Sequence, residues 1–207
     1  MQKILDAVKW LKSGGLVIVL DDFDRENEGD LIGLGQYISE KNINFMITKA
    51  RGLLCTPISA AIAQKLKLRQ MTTHNTESNQ TAFTVSIDGE YVKTGVTTGI
   101  SVSDRTQTIR QLVKAEAAFD DFVQPGHVFP LVAKPGGVLE RAGHTEAAID
   151  LAKLAGSPEV GVIIEILMPD GQMARSEYLR QMAIEWELPM ITIADLRKHL
   201  LEEKNHG

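Results

Sequence analysis

Six carboxylates and one arginine fall within ten residues, Asp21-Asp22-Phe23-Asp24-Arg25-Glu26-Asn27-Glu28-Gly29-Asp30. The segment carries a formal charge of −5, as does the whole 207-residue chain, so the remaining residues sum to zero. Asp22, Asp24, Glu26, Glu28 and Asp30 are spaced by two. In an extended conformation they would line one face, where their mutual repulsion calls for a cation. Carboxylate oxygens are the ligands that a hard divalent ion such as Mg²⁺ takes. Arg25 can clamp a phosphate or hold the carboxylates in position, and Gly29 lets the backbone approach a ligand closely. A solvated acidic loop is the competing reading. The apolar runs 16–20 and 31–34, which lead straight in and straight out, set a metal site level with that reading.

Other groupings carry chemistry of their own. Arg141-Ala142-Gly143-His144-Thr145-Glu146 opens an expected helix over 145–155, where arginine, histidine, threonine and the positive helix end suit a phosphate. His144 can instead ligate a metal through a neutral imidazole nitrogen; a simple helix-cap histidine is the plainer alternative. Pro125-Gly126-His127-Val128-Phe129-Pro130 sets a histidine between two prolines, rigid flanks that would aim a general base. A structural turn histidine would look the same. Glu165 lies within the apolar run 160–168, where a buried carboxylate needs a partner or a raised pKa. The stretch 97–106, with threonines, Gly99 and a Ser103 cap for the following helix, suits an anion or an ordinary capped turn equally. Cys55, in an apolar strand, reads as core.

The elements that must position these residues alternate. Ile4, Val8 and Leu11 mark a helix stopped by Ser13-Gly14-Gly15. Strands are expected over 16–20, 31–34, 53–56 (ended by Pro57), 83–87 (turning at Asp88-Gly89), 129–133, 160–168 and 190–193. Helices are expected from a Ser39 cap to Ala50, over 59–66, after Ser103, over 145–155, over 176–186 and from Ala194, with a loose tail over 202–207. Residues 69–81 are polar and aperiodic, a loop holding His74. No repeat or linker divides the chain, so one α/β (α+β) domain over 1–207 is the economical fold. Hydrophobic residues make up 43% and charged residues 24%, ordinary for a globular chain with a substantial core. No apolar run is long enough to span a bilayer. The sequence pI near 5.6 argues against nonspecific nucleic-acid binding. A single cysteine precludes an intrachain disulfide, which fits a reducing cytoplasm.

Taken together, Asp-Asp-x-Asp-Arg-Glu-Asn-Glu-Gly-Asp at 21–30, Thr-Gly-Ile-Ser-x-x-Asp-Arg at 98–105, Pro-Gly-His-Val-Phe-Pro at 125–130 and Arg-x-Gly-His-Thr-Glu-Ala at 141–147 resemble the 3,4-dihydroxy-2-butanone 4-phosphate synthases. The motifs follow that family's order and span nearly the whole chain. The resemblance implies a mixed twisted sheet in three layers, with helices on both faces. It implies conversion of D-ribulose 5-phosphate to L-3,4-dihydroxy-2-butanone 4-phosphate and formate, the four-carbon supply for riboflavin. It further implies two divalent ions per active site, Mg²⁺ or Mn²⁺, and a homodimer with active sites at the interface. Carried over by motif, Glu26 and His144 would be metal ligands that also contact substrate. Arg25, Asp30 and Glu165 would contact substrate, Arg141 with Thr145 would hold the phosphate, and His127 and Glu165 would serve proton transfer. The single cysteine and the end at 207 suggest the single-function form, without a GTP cyclohydrolase II domain. A metal-dependent sugar-phosphate isomerase or aldolase, and a nucleotide- or RNA-binding module, are the competing function classes; formate release separates the first from the synthase.

Overall fold

The computed structural model describes residues 2–206, without the side chains of Asn205 and His206. Met1 and Gly207 lie outside it, and with Gly207 the end of the expected loose tail. Up to there that expectation is corrected, because the last helix runs on to His206.

Seven strands form one mixed sheet: β1 (Val17–Leu20), β2 (Gly29–Leu34), β3 (Cys55–Ile58), β4 (Ile87–Gly89), β5 (Phe122–Val132), β6 (Gly161–Glu165) and β7 (Met190–Thr192). Their spatial order is β4-β5-β3-β6-β2-β1-β7, with β4 and β7 at the edges. Pairing is parallel for β1 with β7 and β3 with β5, and antiparallel elsewhere. Side chains alternate across the sheet, so the sheet feeds two cores. Ile18, Leu31, Val162 and Ile164 pack with α2 (Glu40–Phe45), α3 (Ala60–Lys65), α5 (Val102–Val113) and α7 (Ser176–Glu185). Val17, Val19, Ile32 and Ile163 pack with α1 (Gln2–Lys12), α6 (His144–Leu154) and α8 (Ile193–His206). A short helix, α4 (Tyr91–Thr94), follows β4. The three-layer expectation is therefore met.

Local signals explain most boundaries. Ser39 caps α2 through a reciprocal capping box with Asn42, and Ser59 caps α3. Four expectations are corrected. Pro57 lies inside β3 rather than ending it; β3 meets β6 at one ladder pair, Cys55 with Ile163, so proline's missing donor is tolerated there. Asp88-Gly89 is strand, not turn, and Phe83 and Thr84 make only isolated bridges. The α5 cap is Ser101, whose hydroxyl accepts from the Asp104 N–H, whereas Ser103 donates to Glu40. Glu165 is the last residue of β6 instead of its middle.

β5 begins seven residues earlier than expected, so His127 lies within a strand. Ile87 pairs with Val128, but the next residue, Asp88, pairs with Val123. Residues 124–127 are thus extruded from the ladder as a four-residue bulge, and bulges re-aim side chains at functional sites.

Candidate active site

A cleft opens where β2, β3 and β6 meet the N-terminal end of α6. Arg25, Glu26, Glu28, Asp30, Cys55, Thr81, Arg141, His144, Thr145 and Glu165 line it. Seven of the eight residues expected at the site therefore come together within one chain. The eighth, His127, is not among them.

The acidic segment does not form one extended face. A turn, with Asn27 at φ +53° and Arg25 and Asn27 donating to the Asp22 carbonyl, folds it back. Asp24 faces solvent, whereas Asp21 is buried and accepts from the Glu26 N–H (3.2 Å) and the Glu28 N–H (2.9 Å). Arg25 Nη1 donates to Asp21 Oδ2 at 2.8 Å and to Glu26 Oε2 at 2.5 Å. Arg25 thus fixes two carboxylates and also lines the cleft. Asp21, Glu26 and His144 then present ligand atoms that all lie within 4.8 Å of one another. Two carboxylate oxygens and an imidazole suit a divalent cation.

His144 is the first residue of α6 and is buried. Its Nε2 lies 3.0 Å from the Val19 carbonyl, which only accepts, so Nε2 carries the proton and Nδ1 is left with a free lone pair. Burial lowers its pKa to about 4, which keeps the imidazole neutral and able to ligate. His144 Nδ1 is 3.6 Å from Asp30 Oδ1. Asp30 and Glu165 sit directly opposite each other on β2 and β6. Burial first, then the negative charge of Glu165, Glu26, Glu28 and Asp21, pushes the Asp30 carboxyl well above its ordinary range. Such a concentration of carboxylates is what a bound cation relieves.

Glu165 Oε2 accepts the Leu53 N–H at 2.8 Å. That approach needs Gly52, since a Cβ there would stand 2.5 Å from both the Glu165 carbonyl oxygen and Oε2. Arg141 donates through Nη1 to Glu146 Oε2 (2.6 Å), through Nε and Nη2 to the Asn79 carbonyl (3.2 and 3.0 Å), and through Nη2 to Thr81 Oγ1 (3.3 Å). Thr145 follows His144 in the first turn of α6, so a guanidinium, a hydroxyl and a helix N-terminus converge. Asn79 also donates to Glu26. The loop 69–81 therefore bridges the cation cluster and the arginine. Glu77 shapes it: the Asn79 and Thr81 N–H groups hold the Glu77 carboxylate at a pKa of about 2.

Sequence reasoning did not single out Asn79 or Thr81, which lie in a polar stretch without periodicity. Asp21 and Glu28 were visible as members of the acidic run. Cys55 is buried as expected, and it also lines the cleft; burial pushes its thiol pKa up, leaving it protonated. His127 lies on the β4–β5 edge, its side chain 43% exposed and 2.7 Å through Nδ1 from Asp88 Oδ2. Exposed Tyr91, Val92, Ile100 and Val123 belong to the segments around it. The stretch 97–105 does not form part of the cleft lining. Among the described residues, no helix is long and apolar enough to cross a membrane.

Comparisons with known proteins identify the family. The family model for 3,4-dihydroxy-2-butanone 4-phosphate synthase matches residues 5–199. The riboflavin biosynthesis protein RibBA of Bacillus mycoides is 54% identical over 200 residues, covering 95% of this chain and 49% of the relative. The chain thus spans about half the length of the curated relatives it matches. A crystal structure of a 3,4-dihydroxy-2-butanone 4-phosphate synthase in complex with two magnesium ions superposes with a TM-score of 0.91 at 40% identity, over 97% of each chain. RibBX from A. baumannii, a two-domain 3,4-dihydroxy-2-butanone 4-phosphate synthase, gives 0.88 at 46% identity, over 93% of this chain and 56% of that one. With this coverage and identity, the chain belongs to the 3,4-dihydroxy-2-butanone 4-phosphate synthase family.

Proposed function

We propose that the protein converts D-ribulose 5-phosphate to L-3,4-dihydroxy-2-butanone 4-phosphate and formate, supplying the four-carbon unit of riboflavin. The observation that carries this reading is one cleft lined by Glu26 and His144, whose ligand atoms cluster with that of buried Asp21, and by Arg141 and Thr145 at the start of α6. A short phosphorylated sugar needs both at once. Arg141 and Thr145 take the phosphate. Arg25 keeps Glu26 and Asp21 aimed, and Asp30 lies beside His144 to contact the substrate chain. The Leu53 N–H fixes one oxygen of Glu165, and the other serves proton transfer. Two divalent ions, Mg²⁺ or Mn²⁺, when bound with Glu26 and His144 among their ligands, supply Lewis acidity for charge developing on adjacent substrate oxygens.

His127 enters the site from a second copy of the chain. This reading is supported by its absence from the cleft of its own chain and by its place on an exposed edge flanked by Tyr91, Val92, Ile100 and Val123. The homodimer then has two active sites, each completed at the interface. A cytoplasmic setting belongs to the same reading, since a free thiol, Cys55, lines the cleft.

The test is formate release from ribulose 5-phosphate by the purified protein, with Mg²⁺ and then with EDTA. Metal-dependent formate is expected. A folded sample that releases none in either condition contradicts the synthase reading.

A further inference from the structure

Asp88 and the motif at 97–105 remain without a part in the cleft, and both converge on His127. Asp88 Oδ1 accepts the His127 backbone N–H at 2.8 Å, and Oδ2 lies 2.7 Å from His127 Nδ1. One carboxylate thus fixes both the main chain and the ring of the bulged residue. An ionised carboxylate only accepts, so the ring proton sits on Nδ1 and the lone pair on Nε2. That is the tautomer a general base needs, with the base oriented by a third group behind it.

The motif supplies the wall behind this pair. Asp104 accepts from the Thr97 N–H (2.9 Å), the Thr97 hydroxyl (3.0 Å) and the Gly99 N–H (3.0 Å). These bonds hold Asp104 below the ordinary carboxylate range despite its burial, so it stays ionised and keeps the loop closed. The loop carries Gly99, buried and at φ +89°, against the pair: a Cβ there would stand 1.9 Å from Asp88 Oδ2 and 2.5 Å from His127 Nδ1. No side chain fits. From β4, the Gly89 N–H donates to Thr108 on α5, which ties the strand bearing Asp88 to the helix whose first turn holds Asp104.

We propose that Asp88 is a positioning residue, which with the Thr97–Asp104 loop behind it holds His127 as the Nδ1–H tautomer and presents Nε2 as the base. This rests on the proton-transfer role given to His127 above. It replaces the anion-binding reading of the 97–106 stretch with a structural purpose for its glycine and aspartate.

The experiment is ring-nitrogen NMR on the full-length protein labelled with ¹⁵N-histidine, with His127 assigned by loss of its signals in His127→Ser. The Nδ1–H tautomer is expected at a pH where the ring is neutral. An Nε2–H tautomer in the unsubstituted protein overturns the proposal, whether or not formate is ever released. In Asp88→Asn the amide can donate to Nδ1, so the Nε2–H tautomer should gain population. There kcat should fall about 100-fold, the scale of a lost general base, with KM changed less than about twofold. Asp88→Asn with kcat and tautomer both unchanged also overturns it. Should that variant fail to fold, the spectrum of the unsubstituted protein decides alone.

Discussion

Glu26 and Glu165 are carboxylates in one cleft with different neighbours, and the proposed function gives them different work. Glu26 is held by Arg25 and Asn79 beside Asp21 and His144, where a cation fits. Glu165 takes a backbone N–H and faces Asp30 across the ladder. Glu26→Gln should weaken Mg²⁺ binding by about 10-fold or more, as judged from metal-site substitutions generally. Glu165→Gln should leave the Mg²⁺ isotherm near that of the unsubstituted protein while lowering kcat by about 100-fold or more. Calorimetric titration beside the formate assay separates the two. An unchanged isotherm for Glu26→Gln would remove it from the ligand set, and near-full turnover by Glu165→Gln would remove its proton-transfer role.

At the scale of elements, Asp121 ties together the edge that presents His127. Its carboxylate accepts from Lys93 Nζ near the end of α4 (2.8 Å), from the Ala118 N–H (2.9 Å) and from Gln111 on α5 (2.8 Å), one residue before β5 starts. Lys93, then Ala118 and Gln111, hold its pKa down at about 2. A carboxylate depressed in the folded state stabilises fully above its unfolded pKa, and the stabilisation is lost as pH falls towards the folded value. Asp121→Asn should cost about 1.5–3 kcal/mol at pH 7, typical of hydrogen bonds to a charged group. The deficit should shrink between roughly pH 4 and pH 2. Urea midpoints across that range check it; a deficit independent of pH would show that the charge of Asp121 contributes nothing. Proline marks where elements were hard to read. Pro57 suggests a strand end, yet it lies inside β3 where a full ladder to β6 is lacking, and Pro125, expected ahead of its strand, lies in the bulge within β5. By contrast, the helical spacing of Ile4, Val8 and Leu11 and the capping residue Ser39 are purely local signals, and they placed α1 and the start of α2. The acidic run and the Arg-x-Gly-His-Thr group were legible because charge and residue type announce them. Asn79 and Asp88 were not, since their roles come from long-range contacts, 53 residues to Glu26 and 39 to His127.

On the scale of the whole molecule, the sheet separates the functional groups. The cleft lies where β2, β3 and β6 meet α6, near the middle of the seven-strand order, whereas His127 rides the β4–β5 edge. The edge strand β4 is only three residues long, and the exposed Tyr91, Val92, Ile100 and Val123 give this end apolar surface of the kind that marks association sites. A symmetric pair would place the same patch on both partners, completing two sites together. Mixing two inactive variants measures this directly. His127→Ser and Glu165→Gln homodimers should each release almost no formate. Co-refolded in equal amounts, they should recover about a quarter of full activity, because random pairing makes half the dimers mixed and each mixed dimer holds one intact site. That recovery is the predicted result. A mixture no more active than either variant alone, despite subunit exchange shown by mass spectrometry, would contradict an active site built from two copies of this chain.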